Sequence, residues 1–139
     1  MAKYSSTSSD DPLTVSEPTV AYQSANFFEL ANRGVSKKYI QNVLNITKLT
    51  VADIIEILPI SIDTYKRKSA FNPQVTEKVL EIEEVYQKGL DTFGEGFYQW
   101  MDTPNVALGN IKPKVLLKNS FGIRRLLNQI GRIEHGILA

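Results

Sequence analysis

The chain has no cysteine, one histidine, one tryptophan and two methionines among its 139 residues. The missing thiols exclude disulfides, thiolate zinc sites and a cysteine nucleophile, and they fit a reducing cytoplasm. A lone histidine, His135, makes a poor metal site, because ligands come in threes or fours. As a general base it would need a nucleophile and an orienting group that the sequence does not nominate. No metal, no cofactor and no catalytic residue are therefore expected, and the chain is not read as an enzyme. No apolar run approaches the ~20 residues that span a bilayer. The start of the chain lacks the apolar core of a secretory signal. The expectation is a soluble cytoplasmic protein with no membrane association.

A net charge of +1 gives no basic footprint of the kind that marks nucleic-acid binding. The charges are unevenly placed, however. Residues 103–139 carry Lys112, Lys114, Lys118, Arg124, Arg125 and Arg132 against Glu134 alone. Residues 77–95 carry Glu77, Glu81, Glu83, Glu84, Asp91 and Glu95 against Lys78 and Lys88. These glutamates spread around a helix without a second acidic cluster to meet them, so a solvated face is expected rather than a metal or glycosidase site. The acidic helix and the basic end can pair internally, pair with a second copy, or meet a partner.

What is present is helical periodicity. Residues 1–21, rich in serine, aspartate and proline, cannot repay their ordering entropy and read as a mobile tail. Helical pattern begins near Ala21 and carries Phe27, Phe28, Leu30 and Ala31 until Gly34, a C-cap residue. Ser36 caps a helix bearing Tyr39, Ile40, Val43 and Leu44. Thr50 starts the next, with Asp53 completing an acidic capping box and Pro59 ending it. Ser61 caps another helix to about Lys68. Asn72-Pro73 restarts the chain as an N-cap followed by proline, and Val75, Val79, Ile82, Val85 and Tyr86 follow helical spacing to about Asp91. Gly94 and Gly96 break that helix. They lack the strand-then-helix setting of a phosphate loop. Phe93, Phe97 and Trp100 read as core. Ser120 is expected to cap a last helix whose stripe is Ile123, Leu126, Leu127, Ile130 and Ile133. No run alternates with period two, so the fold is predicted to be all-α.

Two segments carry candidate function. Thr50–Lys68 has the length of a helix-turn-helix, whose second helix would offer Ser61, Asp63, Thr64, Lys66, Arg67 and Lys68 to DNA. Pro59 stands where such turns often use glycine, and Asp63 places a negative charge in the first helical turn, where a phosphate would otherwise be welcome. The competing account is an ordinary helix pair with a solvated basic end. His135 sits before Gly136 at a helix C-terminus, where an imidazole complements the dipole.

The most specific stretch is the last third: Thr103-Pro104-Asn105, Ala107-Leu108-Gly109, Pro113 with Leu116-Leu117, Gly122, then Arg132-Ile133-Glu134-His135-Gly136. This order closely resembles the toxin-binding domain of Xre-type antitoxins of RES–Xre toxin–antitoxin systems, over roughly residues 22–139. Asn110 stands where that family often has a second glycine. The resemblance implies three units: the tail 1–21, an Xre-like helix-turn-helix over 22–72, and a helical toxin-binding domain over 73–139. It also implies an antitoxin that blocks the active site of a cognate RES-domain toxin, which degrades NAD, and that represses its own operon by binding operator DNA. A homodimer within a toxin–antitoxin hetero-oligomer is implied as well. Arg124, Arg125, Arg132, His135, Gly136 and the tail Ile137, Leu138 and Ala139 are then the toxin-contacting residues. The tail reaches about 10 Å when extended, and its terminal carboxylate suits basic groups in a nucleotide pocket. The alternatives are a stand-alone helical repressor and a toxin inhibitor that has lost DNA binding.

Overall fold

The computed structural model describes residues 24–136, with side chains from Phe27 onward. The expected tail 1–21 and the residues Ile137, Leu138 and Ala139 lie outside the described residues. Among the described residues seven α-helices follow one another: α1 (Ser24–Arg33), α2 (Lys37–Thr47), α3 (Val51–Ile57), α4 (Ile62–Arg67), α5 (Pro73–Phe93), α6 (Gly96–Met101) and α7 (Ser120–Glu134). Two 3₁₀ segments, Val106–Leu108 and Pro113–Lys118, bridge α6 to α7. Among the described residues there is no strand, only two isolated bridges, so the fold is all-α.

The helix starts follow from their capping side chains. Ser36, Ser61 and Asn72 each accept a hydrogen bond from the backbone N–H three residues on. Thr50 and Asp53 form a reciprocal capping box at α3, at 3.0 and 3.1 Å. The Pro59 stop also holds, α3 closing with Leu58 already extended. Helix α5 outruns its expected end by two residues and closes at Phe93, where Gly94 supplies a positive φ of 64°.

Helix α5 is the axis of the molecule. Its 21 residues pack against α1, α2, α6 and α7, and one continuous apolar cluster runs from Leu30 and Ile40 through Val79, Ile82 and Val85 to Leu126 and Ile130. A helix with neighbours on several sides has no wholly solvated face, and Glu83 shows the consequence. Contrary to the solvated face expected of the glutamates, Glu83 is 1% exposed and accepts a hydrogen bond from the Tyr39 hydroxyl of α2 at 2.5 Å. Burial pushes its carboxyl up to about 7, the Tyr39 bond opposing the shift.

The chain between helices is stitched to the same axis. The Thr76 hydroxyl accepts from the Val35 N–H and donates to the Phe71 carbonyl, while Phe71 N–H donates to Val35 O. Gly34 is required here on two counts: its φ is +89°, and a Cβ would strike the Phe71 carbonyl oxygen. At the other end of α5, Gly89 lets the Phe97 ring lie on the helix, since any Cβ there would enter the ring. Phe93, Phe97 and Trp100 stack around that contact, with centroids 5.0–5.6 Å apart. Phe97 is fully buried, whereas Phe93 and Trp100 are half-buried.

Candidate partner-binding surface

The C-terminal surface is built on a tight loop. Asn105 N–H donates to Ile111 O at 2.9 Å and Asn110 N–H returns to Asn105 O at 2.8 Å. The Asn105 side chain accepts from Ala107 N–H, which starts the 3₁₀ turn at Val106. Both Gly109 and Asn110 have positive φ, 88° and 66°. A second glycine would suit the second of these positions, and asparagine is the side chain that best tolerates it. Below the loop, Asp102 meets Lys112 and Lys114 at 3.4 and 3.2 Å, and the paired lysines, Lys114 first, hold its carboxyl below the usual range.

Helix α7 docks on the second 3₁₀ segment and on α5. Its N-cap is Asn119, extended at φ −148°, whose side chain accepts from Gly122 N–H at 2.8 Å. Ser120, expected in that role, is the first helical residue, and its hydroxyl faces Glu81. Both residues can cap; the register is set by Gly122, which lies so close to the Leu116 carbonyl that a Cβ would collide with it. The expected stripe also needs correction. Ile123, Leu126 and Ile130 are buried, but Leu127 and Ile133 are half-buried. Gln129, read as lying off the stripe, is 7% exposed. It stands three residues beyond Leu126, under the first 3₁₀ segment.

Of the residues expected to contact a toxin, Arg124, Arg125, Arg132, His135 and Gly136 are all exposed. Arg125 and Arg132 are brought together along an open groove of about 330 Å³, lined also by Ala107, Leu108, Asn128 and Gln129. Arg124 is directed elsewhere, its guanidinium 5.2 Å from the centre of the Phe121 ring. Gly136, at φ 76°, donates its N–H to Ile133 O and closes the helix behind His135. Sequence reasoning missed Asn128 and Gln129, which share the helical face of the two arginines, and the apolar residues Val106 and Phe121. These two are 85% and 74% exposed, and no periodicity singles out either of them.

At α4 and its C-cap, Ser61, Asp63, Lys66, Arg67 and Lys68 are exposed and Thr64 half-buried. Ser61 and Thr64 are engaged with each other, the Ser61 oxygen also capping the Thr64 N–H. Lys37 of α2 donates to the Lys66 carbonyl at 2.7 Å and lies over the Tyr65 ring, which adds a cation beside the three of α4. Among the described residues no group of three or more histidine, aspartate or glutamate side chains forms a metal cluster, and no helix is long and apolar enough to cross a membrane.

The segment from the end of α5 through α7 is thus a compact helical platform with a basic, partly apolar face. Residues 89–136 match the family model of the antitoxin Xre/MbcA/ParS C-terminal toxin-binding domain. Over 117 residues the chain is 28% identical to a protein of Photorhabdus laumondii named Antitoxin Xre, the match covering 79% of each chain. A protein of the same name from Yersinia enterocolitica is 32% identical over 72 residues, which cover 50% of this chain and 49% of that one. These similarities point to the Xre-type antitoxins, most directly over the C-terminal toxin-binding domain. The matched domain begins at Gly89, inside α5, where Phe97 settles on the helix.

Proposed function

We propose that this protein is the antitoxin of a two-component system, binding a cognate RES-domain toxin through α7 and the loop before it and so preventing NAD degradation. The observation that carries the reading is the coincidence of the toxin-binding domain match with a surface that exposes Arg125 and Arg132 along one groove, and Arg124, Val106 and Phe121 beside it. Arginine and aromatic side chains are the usual anchors of protein interfaces. Ile137, Leu138 and Ala139, the residues after the Gly136 turn, are the proposed plug of the toxin's active site, and His135 with Gly136 sets their point of departure. The toxin is proposed to be encoded by the adjacent reading frame. Co-expression of the two frames followed by affinity purification and an NAD-depletion assay tests this: a stable complex that spares NAD is expected. Purification of the chain alone, with the neighbouring product unable to consume NAD, would contradict it.

Operon autoregulation through α4 is the second part of the proposal, with Lys66, Arg67 and Lys68 on phosphates, Ser61, Asp63 and Thr64 beside them, and two copies of the chain on one operator. One observation favours the rival account of an inhibitor without DNA contact. The Ser61 hydroxyl is engaged at the α4 cap, accepting from Thr64 N–H and donating to the Thr64 hydroxyl, and Asp63 is exposed in the same turn. A gel-shift titration on the operon's own promoter separates the two.

A further inference from the structure

On α7, Arg125, Asn128, Gln129 and Arg132 fall three, four and seven residues apart, so one face of the helix carries all four. The first 3₁₀ segment walls that face with Ala107 and Leu108. Neither arginine is in an ion pair among the described residues. Of the acidic groups near this end, Asp102 pairs with Lys112 and Lys114 and Glu81 with Lys78, while Glu134, two residues beyond Arg132, is exposed and forms no ion pair with either arginine. Gln129 is the second, independent sign. The residue is 7% exposed and lines the groove, and its side-chain amide forms no hydrogen bond with a described residue. Its amide is not among the buried unpartnered groups, so it stands at the groove able to exchange water for a peptide group of a partner.

We propose that this groove seats an acidic segment of the toxin, Arg125 and Arg132 each receiving a carboxylate and the Gln129 amide receiving a main-chain group between them. The inference rests on the toxin-binding reading above. The two arginines are separated by about 10 Å of helix axis, which sets the spacing of the carboxylates they accept. The geometry favours a protein over a phosphorylated ligand. The groove lies along the middle of α7, away from the free amides of its N-terminus that phosphates use, and the highly exposed Val106 stands next to Ala107 at its wall. A desolvated arginine–carboxylate pair flanked by an apolar contact is an interface arrangement.

The test uses the full chain and the toxin from the adjacent frame, held catalytically inactive, in calorimetric titration. Arg125→Glu with Arg132→Glu should raise Kd by about 100-fold or more, since losing one partner of a buried charge pair alone costs tens-fold to thousands-fold. Lys38→Glu with Lys118→Glu makes the same change in net charge off the groove and should shift Kd by no more than about threefold at 0.15 M salt, where distant charges are screened. Gln129→Leu, which keeps the burial and removes the amide, should weaken binding by about tenfold. Unaltered thermal melts of the free variants establish that the fold is kept. If the wild-type chain fails to bind, the toxin-binding reading itself falls. If the wild type binds and the arginine reversal binds equally well, or the off-groove reversal weakens binding as much, only the groove assignment falls.

Discussion

Glu83 is a carboxyl whose proton matters to the fold. Its folded-state value, about 7, lies above its ordinary 4.5, so the folded protein holds the proton more tightly than the unfolded chain. The stability this contributes is fully present below pH 4.5 and is lost as pH rises through 7, a span worth on the order of 3 kcal/mol. Glu83→Gln keeps a neutral acceptor for the Tyr39 hydroxyl and should flatten that slope. Urea unfolding of wild type and variant at pH 5 and pH 7.5 measures it: their stability difference should change by that amount between the two conditions, and an unchanged difference would show that Glu83 does not titrate in the fold. At the start of α7 the capping assignment makes a second residue-scale prediction. Asn119→Ala should cost about 1 kcal/mol and Ser120→Ala clearly less, as thermal melts would reveal. Neither the buried glutamate nor the shifted cap was legible in the sequence. Periodicity tells which side of a helix is apolar, but not how many neighbours surround it, and two adjacent cap-formers look equivalent until a close contact such as Gly122 on Leu116 selects the register.

Among the elements, helix boundaries were the most legible feature, because they are written in short-range chemistry. Ser36, Thr50, Ser61 and Asn72 cap as their types and spacings foretold, and Pro59 ends α3 by sterics alone. The interior of α7 was less so. Its stripe treated Leu127 as core, whereas the 3₁₀ segment shifts the buried side toward Leu126 and Gln129. Leu126→Ala should therefore cost on the order of 2–5 kcal/mol as a fully buried truncation, and Leu127→Ala, half-buried, markedly less; equal losses in chemical denaturation would contradict this placement. Gly89→Ala tests the seam between α5 and α6. The added methyl must displace the Phe97 ring, a fully buried side chain, and overpacking of this kind costs about 1–3 kcal/mol in the same measurement. Of the candidate surface, the arginines were visible as charges outside an apolar stripe. The groove was not, since it depends on a 3₁₀ turn that three residues, Val106–Leu108, encode too briefly for any periodicity.

For the whole molecule, the two proposed activities rest on different elements, α4 and α7, and should be separable by mutation. Lys66→Ala with Arg67→Ala should weaken operator binding and reduce the salt slope of log K by roughly 0.9 per lost phosphate contact, while toxin binding is retained. An unchanged slope would remove both side chains from the nucleic-acid interface. Deleting Ile137, Leu138 and Ala139 should leave a complex that still forms, because an interface of around 1,600 Å² draws little from three residues, yet that complex should now consume NAD. Full inhibition by the shortened chain would move the block to the arginine-bearing face of α7.

The sharing of α5 has a consequence for the lifetime of the protein. Its first turns anchor the loop between α1 and α2 through Thr76 and Val35, and its last turns receive Phe97, so neither end of the molecule has a private core to fall back on. A protease that captures the chain with α5 opened dismantles the proposed toxin inhibitor and the proposed repressor in one event. A bound partner, by holding only the folded form, protects both ends together. Free copies would then be the ones that decay, and their loss would release the toxin and the promoter at the same moment.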